Sequence, residues 1–235
     1  MNATLPSSPP VLPTFAAQPP ESPHDSWICD VPPCYRMAAY SIRQGLGEKR
    51  RVWVAGGVHP QETPLLATAL LRLRRRHPSL LLVLAPRRAD EADEAFARLC
   101  MKGLRVQRHS QGAGCPANTD VYLLDSLEEL PLFYAAGDAA FIGCSLVPAG
   151  GHSPLEPLAM GVPAVTGLHM GPFAEVVDHL RRSGGLRQAA DTEELVLALE
   201  GLLPEGALLG KALAQGAHKR LLRQTEPRSR SMHSF

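Results

Sequence analysis

Short apolar runs alternate with amphipathic helical patterns from Arg51 to about Arg223, and this alternation constrains the fold more than any other feature of the sequence. The apolar runs predict strands at 51–58, 80–84, 104–108, 121–124, 139–142 and 163–166, and the intervening patterns predict helices at 63–76, 90–101, 127–136, from 154, and at 192–203. Strands and helices that alternate in this way build a parallel sheet covered on both faces. The sequence therefore predicts a single doubly wound α/β domain.

The two ends of the 235-residue chain differ from this middle part. Residues 1–30 are rich in Pro and Ser, and we expect them to be disordered because proline can neither pair within a sheet nor continue a helix. Residues 224–235 are polar and basic, and a flexible tail is expected there. The folded domain is thus predicted over 31–223, with a last long helix from about Leu208.

Composition argues against several classes of function. The chain has 24 basic and 23 acidic residues, so no overall field favours a nucleic-acid partner. The five cysteines lie at 29, 34, 100, 115 and 144 without paired spacing, which indicates free thiols in a reducing compartment rather than a zinc site. No stretch approaches the roughly 18 apolar residues that a membrane span needs. We expect a cytoplasmic protein that needs no metal and no cofactor.

The segment 141–157, FIGCSLVPAGGHSPLEP, contains the clearest candidate ligand site. It leads from a predicted strand into Gly150 and Gly151, where the backbone can approach a ligand closely. Ser153 is predicted as the N-cap of the next helix, with a proline at the first helical position and Glu156 in the first turn, an arrangement that offers N–H groups to an anion. Taken alone, a Gly-Gly turn favours a plainer interpretation, a loop that merely starts a packing helix.

The order of residues in this segment resembles the 3-deoxy-D-manno-octulosonic acid (Kdo) transferases, whose corresponding stretch reads roughly GGSLVxxGGHNPLEP. That family continues with a small-residue helix, GxPV and a GPH-like turn, and here LAMGVPAV and TGLHM follow at 158–170. The resemblance extends over roughly 31–223 and is most specific over 120–170. It implies a Rossmann-like domain that forms the C-terminal, donor-binding half of a GT-B glycosyltransferase.

The turn GGVHPQE after the first predicted strand resembles the family pattern A-S-T-H-x-x-E. His59 and Glu62 match, whereas Gly57 and Val58 replace the Ser and the Thr. A histidine at a strand end can donate to a phosphate or carboxylate. Without the resemblance, a histidine that braces the turn is the plainer interpretation.

Two further turns match in part. Pro86 and Arg87 correspond to the start of VPRHPERF, and an arginine after a buried strand suits phosphate recognition, although solvated strand-end arginines are common. Asp125 and Glu129 in LDSLEEL correspond to GDTMGEL, where two glycines of the pattern are absent. The residues alone make Asp125 an ordinary helix N-cap.

The resemblance implies a set of donor-binding residues and assigns no catalytic residue to this chain. The backbone of the turn around Leu127 would face a cytosine base, the glycine turn would meet a phosphate, and Glu156 would accept hydrogen bonds from ribose hydroxyls. Ser153 replaces an Asn of the pattern, which we expect to weaken donor binding. The implied set is His59, Pro86, Arg87, Leu127, Glu129, Ser145, Gly150, Gly151, His152, Ser153 and Glu156.

The activity implied is transfer of Kdo from CMP-Kdo to a lipid A precursor in lipopolysaccharide biosynthesis, at the cytoplasmic face of the inner membrane of a Gram-negative bacterium with only peripheral membrane contact. Such a transfer needs a general base on the acceptor hydroxyl. In the family that base is a Glu of an N-terminal acceptor domain, so we expect this chain to be inactive without such a domain or a separate chain. Two alternatives remain, a degenerate non-catalytic nucleotide-binding module and a GT-B enzyme that uses a UDP-sugar.

Overall fold

One parallel sheet of seven strands organises residues 33–112 and 114–203, the part of the chain that the computed structural model describes. The strand order is β3-β4-β2-β1-β5-β6-β7, and every pair of neighbours is parallel. This arrangement confirms the predicted doubly wound domain. The strands are β1 (Val52–Val58), β2 (Leu81–Pro86), β3 (Val106–Arg108), β4 (Val121–Leu123), β5 (Ala139–Ile142), β6 (Ala164–Thr166) and β7 (Leu186–Gln188).

Helices cover both faces of the sheet. The helices are α1 (Pro33–Leu46), α2 (Thr63–Leu73), α3 (Ala92–Met101), α4 (Leu130–Ala136), α5 (Leu155–Ala159), α6 (Ala174–Arg182) and α7 (Thr192–Glu200). Helices α2, α3 and α7 pack on one face, and α1, α4, α5 and α6 pack on the other. Short 3₁₀ turns lead into α3, α4 and α6 at Ala89–Glu91, Leu127–Glu129 and Gly171–Phe173.

Every residue of β1 and β2 is buried, which explains why these strands read as continuous apolar runs. Side chains of alternate residues enter different cores: Trp53 packs with α2, α3 and α7, whereas Val52 and Val54 pack with α1, α4 and α6. Each fully buried large apolar side chain stabilises the fold by about 1.5–3 kcal/mol. The centre of the sheet is therefore a rigid base for the loops at its edges.

The predicted strands and helices of the middle part are present, with ends shifted by a few residues. Three elements lack a specific counterpart in the sequence prediction, namely α1, α6 and β7. None of the helices in the described part of the chain is long and apolar enough to cross a bilayer. The predictions for 1–30, for 224–235 and for a helix from Leu208 concern residues outside the described ranges.

Two predicted caps are wrong. The N-cap of α5 is Pro154 rather than Ser153, and the Ser153 hydroxyl instead accepts a weak hydrogen bond of 3.3 Å from the N–H of Leu155. Asp125 does not cap the turn before α4, because Ser126 holds that position. The Asp125 carboxylate is directed to Ser110 of the neighbouring loop, a tertiary contact that competes with local capping.

Candidate functional site

The order of the strands reverses between β1 and β5, because β2, β4 and β3 lie on one side of β1 whereas β5, β6 and β7 lie on the other. Ligands of doubly wound sheets bind beyond the carboxyl ends of the strands at such a switch point. The loops after β1, β2, β5 and β6 meet at this edge of the sheet. We call the space between them the crevice.

Glu62, at the start of α2, ties the loop after β1 to the loop after β5. Its Oε2 accepts hydrogen bonds from the N–H groups of His59 at 2.9 Å and Cys144 at 2.7 Å. Its Oε1 accepts from the N–H groups of Ser145 and Leu146, both at 2.9 Å. The residue is fully buried, so these four donors replace the water that a carboxylate requires.

Backbone approaches backbone where β1 and β5 end. The N–H of Gly143 donates to the carbonyl of Gly56 at 2.8 Å, and a Cβ at position 143 would overlap the carbonyl of Gly57. Cys144 follows with a φ of 58°, an uncommon conformation for a residue with a side chain. Burial and the charge of Glu62 raise the pKa of the Cys144 thiol to about 11, so this sulfur is not a nucleophile at neutral pH.

Ser145 joins the same loop to the end of β6. Its hydroxyl donates to the carbonyl of Ile142 and accepts from the N–H of Gly167 at 2.7 Å, while its own carbonyl accepts from the N–H of His169 at 2.9 Å. A Cβ at position 167 would overlap the Ser145 backbone. Since Ser145 is fully buried with its hydroxyl engaged, its side chain braces the loop from beneath.

The glycine turn brings His152 against the end of β1. The imidazole packs on Gly57, which has a φ of 67°, and a Cβ there would overlap the ring. Its Nε2 is buried and has no hydrogen-bond partner among the described residues. Burial and the nearby charge of Arg87 lower the pKa of His152, so the ring is neutral at pH 7. Gly150 faces open space, whereas Gly151 is backed by Met170.

Two polar side chains border the crevice at the ends of β1 and β2. The Nδ1 of His59 accepts from the N–H of Gln61 at 3.3 Å, so a neutral His59 carries its proton on Nε2 and can donate from there. Arg87 is exposed and forms no ion pair with any carboxylate of the described ranges. Its neighbour Arg88 is bound to Asp90 at 2.7 Å. Arg87 is therefore a guanidinium available to an anion.

The turn before α4 and the start of α5 form the other walls. The Leu130 side chain and the Tyr134 hydroxyl both lie against Gly56 at the end of β1. Glu156 is exposed at the mouth, yet the concave surroundings withhold water and raise its pKa. Burial and then the charge of Glu156 raise the pKa of Tyr134 well above its usual value. The carboxylate of Glu156 thus lies close to the Tyr134 side of the crevice.

Glu129 belongs to a cluster at the far side of this turn. It accepts from the Nε2–H of His109 at 2.6 Å and from the Ser126 hydroxyl at 3.0 Å. The hydrogen bond from His109 lowers the pKa of Glu129 and raises that of His109. Leu127, in the same turn, is partly buried against the core formed with α1, α4, α5 and α6.

The sequence-predicted residues divide into three groups in the structure. His59, Arg87, Gly150, Gly151, His152, Ser153 and Glu156 belong to the loops and the helix start that border the crevice. Pro86 is buried as the last residue of β2, and Ser145 is buried beneath the loop. Leu127 and Glu129 lie in the turn before α4. Within residues 33–112 and 114–203, no cluster of His, Cys, Asp and Glu is suited to a metal ion.

Sequence reasoning missed several residues that shape the site. The close contacts at Gly143 and Gly167 follow only from the spacing of neighbouring strands, which the sequence does not specify. The sequence identifies Glu62 only as a motif match. Its bridging role was not predictable, because its four backbone donors come from two loops that are distant in sequence. His109 and Tyr134 belong to no recognised motif. The one available signal was the position of His109 directly after the strand β3.

A family model of glycosyl transferases group 1 matches residues 58–220, which is more than half of the chain. The chain therefore belongs to this family of glycosyltransferases. Within it, the chain is similar to Kdo transferases: the 3-deoxy-D-manno-octulosonic acid transferase of Haemophilus influenzae is 35% identical over 164 residues, covering 69% of this chain and 38% of that protein. The Bordetella pertussis protein of the same name is 37% identical over 124 residues, covering 52% of this chain and 29% of that protein.

A solved structure agrees with these relatives. The crystal structure of the C-terminal CMP-Kdo binding domain of WaaA from Acinetobacter baumannii superposes with a TM-score of 0.73 at 30% identity, covering 78% of this chain and 97% of that domain. The predicted resemblance to Kdo transferases and the predicted C-terminal GT-B domain are thereby confirmed. The chain spans less than two fifths of the length of the Haemophilus influenzae and Bordetella pertussis proteins.

Proposed function

We propose that the crevice binds CMP-Kdo and that the chain is the donor-binding part of a Kdo transferase, which adds Kdo to a lipid A precursor. One observation carries this proposal: the similarity to a CMP-Kdo binding domain extends over 97% of that domain, and the matched motifs coincide with the loops that border the crevice. The acceptor would reach the donor from a neighbouring domain or chain. Because that acceptor is a lipid, the enzyme would work at the cytoplasmic face of the inner membrane through peripheral contact.

The phosphate of the donor would lie between His59, Arg87 and the glycine turn. Arg87 offers a guanidinium without a carboxylate partner, and His59 offers an Nε2–H donor. Gly150 has open space beside its Cα, so the phosphate can approach the backbone. In the transfer, the acceptor hydroxyl would lose its proton to a base supplied by the acceptor domain or chain and attack the sugar anomeric carbon. The bond between that carbon and the phosphate oxygen would break, and negative charge would grow on the departing CMP. Arg87 and His59 would stabilise that charge.

Glu156 is suited to the ribose, since one carboxylate can accept hydrogen bonds from two vicinal hydroxyls. Burial in the crevice raises the pKa of its carboxyl in the absence of ligand. Hydroxyl donors favour the ionised form, so the binding of the nucleotide would lower this pKa again. The turn that contains Leu127 would bound the base, because its neighbour Leu130 lies against Gly56 at the end of β1.

Isothermal titration calorimetry with CMP and with UDP tests this function. We expect CMP to bind and UDP to bind more weakly. Arg87→Ala should weaken CMP binding at least about tenfold, as expected for the loss of a charge-assisted contact to phosphate. Arg88→Ala is the matched control, because Arg88 is adjacent, exposed and already paired with Asp90, and it should leave the affinity within about twofold.

Three outcomes would contradict the proposal. Absence of binding heat in a folded sample would indicate a non-catalytic module that has lost the nucleotide site. Stronger binding of UDP would indicate an enzyme that uses a UDP-sugar. Equal losses for Arg87→Ala and Arg88→Ala would mean that the phosphate lies elsewhere.

A further inference from the structure

Two side-chain bridges connect the loop after β3 to the turn before α4, and we call them the β3–β4 clasp. In the first, the N–H and hydroxyl of Ser110 donate to the Asp125 carboxylate at 2.9 and 2.6 Å. In the second, the Nε2–H of His109 donates to Glu129 at 2.6 Å. The proposed function uses neither Ser110 nor His109. The clasp fixes both ends of the turn 125–129 to one neighbouring loop.

The imidazole of His109 is held on its other sides as well. Its Nδ1 lies 2.9 Å from the Tyr122 hydroxyl, and its ring meets Phe133 of α4 edge-on at 5.6 Å between centroids. Tyr122 and Phe133 stack on each other at 5.9 Å. His109 and Glu129 have side chains only 29% and 30% exposed, so their interaction is less screened than that of a surface pair. The ring therefore has one orientation, and that orientation aims Nε2 at Glu129.

The clasp is connected to the crevice through the turn it holds. Glu129 is followed directly by Leu130, whose side chain would lie 2.8 Å from a Cβ on Gly56, at the end of β1. Leu127, two residues before Glu129, packs against the same hydrophobic core as Leu130, beneath this wall of the crevice. A shift of the turn therefore moves the wall that faces the nucleotide, although His109 itself lies behind that wall.

We infer that His109 is a positioning residue for the nucleotide: through Glu129 it holds the turn 125–129 in the place from which that turn bounds the crevice, and it does so best as the imidazolium. This inference rests on the proposed function. His109 acts through Glu129 and contacts no ligand. Donor affinity is thereby coupled to the protonation of a side chain outside the donor-binding set.

The charges around His109 favour the imidazolium. The hydrogen bond to Glu129 raises the pKa of His109, burial opposes this, and the charges of Glu129 and then Asp125 add to the rise. Tyr122 stays neutral and able to accept, because burial raises its pKa to about 12. The preceding Arg108 is bound to Asp93 at 2.7 Å and does not face the ring. With the pKa of His109 raised, the ion pair is present below that pKa and is lost as pH rises through it.

The test is CMP affinity by calorimetry from pH 7 to pH 9, a range in which the phosphate group keeps its charge because its second pKa is about 6. Wild-type protein should lose about fivefold more affinity over this range than His109→Gln, which keeps a neutral donor but cannot ionise. At pH 9 the two should agree within about twofold. His77→Gln is the matched control, because His77 lies before β2 at the amino ends of the strands, away from the crevice. Its CMP affinity should change with pH as that of wild type does.

A second readout uses the NMR titration of the His109 ring. In wild type the pKa should lie above the ordinary histidine value, and Glu129→Gln should return it towards that value. An unchanged His109 titration in Glu129→Gln would overturn the bridge itself. Equal affinity and equal pH dependence for wild type and His109→Gln would overturn the inference while CMP binding stands. If folded wild type binds no CMP at any pH, the proposed function fails and the inference fails with it.

Discussion

At the scale of single residues, Glu62 shows how a carboxylate can be fully buried in a structural role. Its two oxygens accept from four backbone N–H groups that belong to the loops after β1 and β5. The carboxylate therefore sets the distance between His59 and the glycine turn.

Glu62→Gln should destabilise the domain by about 2–4 kcal/mol, because an amide NH₂ would face backbone donors that need an acceptor. Urea unfolding followed by circular dichroism measures the change. Glu48→Gln is the control, because Glu48 is exposed in a turn, and its effect should stay within about 0.5 kcal/mol. Similar losses in the two variants would argue against the bridging role.

Gly57→Ala should destabilise the domain by about 1–3 kcal/mol, because the new Cβ would overlap the His152 ring and a φ of 67° is costly with a side chain. Adding His152→Ala should recover the part that is due to overlap. A double-mutant cycle on the free energy of unfolding separates the two contributions. Purely additive effects would mean that the ring does not pack on Gly57.

The candidate site was largely predictable where a motif is continuous in sequence. Segment 141–157 supplied its glycines, His152 and Glu156 in one run, and the structure brings them to the edge where β1 and β5 end. The N-cap of α5 lies only one residue after the predicted Ser153. Asp125 was mispredicted as a helix cap, because its competing partner Ser110 lies fifteen residues away in another loop. Contacts of that kind depend on which strands become neighbours, and local patterns carry no such information.

At the scale of secondary structure, long apolar runs were the reliable predictors. Strands β1, β2 and β5 are buried along their whole length, so their sequences are apolar throughout. Strand β7 has only three residues, one of them exposed, and gives no pattern to detect. Helix α1 begins at Pro33, directly after a proline-rich stretch of sequence, and this context rather than the lack of an apolar face concealed it from the sequence prediction.

Asp120 ties three elements together just before β4. It accepts from the N–H and side chain of Arg105 before β3, and it pairs with Arg74 after α2 at 2.9 Å. By comparison, the pairs that join α2 and the turn after it to α7, Arg72 with Glu193 and Arg76 with Glu200, each have at least one exposed partner. Only the first set should contribute measurably to stability.

Asp120→Asn should therefore destabilise the domain by about 2 kcal/mol at pH 7, and Glu193→Gln by less than about 0.5 kcal/mol. Burial alone would raise the pKa of Asp120, but the hydrogen bonds from Arg105 and the charge of Arg74 outweigh it and lower the pKa. The contribution of the ionised carboxylate is present above about pH 4 and is lost as pH falls through the lowered pKa. Thermal unfolding from pH 7 to pH 3 should accordingly show a smaller acid loss in Asp120→Asn than in wild type.

At the scale of the whole molecule, the carboxyl ends of the strands, here called the carboxyl edge, and their amino ends, here called the amino edge, differ in their side-chain contacts. At the carboxyl edge, the guanidinium of Arg87 is exposed and forms no ion pair with a carboxylate of the described ranges. The amino edge is closed by bridges: Arg43 donates to Asp138 and to the carbonyl of Ala136, each at 2.9 Å, and Asp138 accepts from the N–H of Val52 at 2.9 Å. Stability and ligand binding should therefore be separable by mutation.

Substitutions of Arg50 and Arg87 test this separation of stability from ligand binding most directly. Arg50 is 9% exposed at the amino edge and donates to the carbonyls of Ser79, Pro116 and Thr119. Arg50→Met removes the guanidinium that donates to all three carbonyls and should cost about 2–4 kcal/mol of stability, yet it should leave CMP affinity within about twofold.

Arg87→Ala should do the reverse, since its guanidinium is exposed and pairs with no carboxylate in the described ranges. The free energy of unfolding should change by less than about 0.5 kcal/mol while CMP binding weakens at least about tenfold. For each of the two variants, chemical denaturation measures the free energy of unfolding and calorimetry measures the CMP affinity. If Arg50→Met also weakened CMP binding in proportion to its loss of stability, the edges would be coupled through the sheet. The rigid central strands make that outcome unexpected, because β1 and β2 are buried throughout and hold both edges in fixed register.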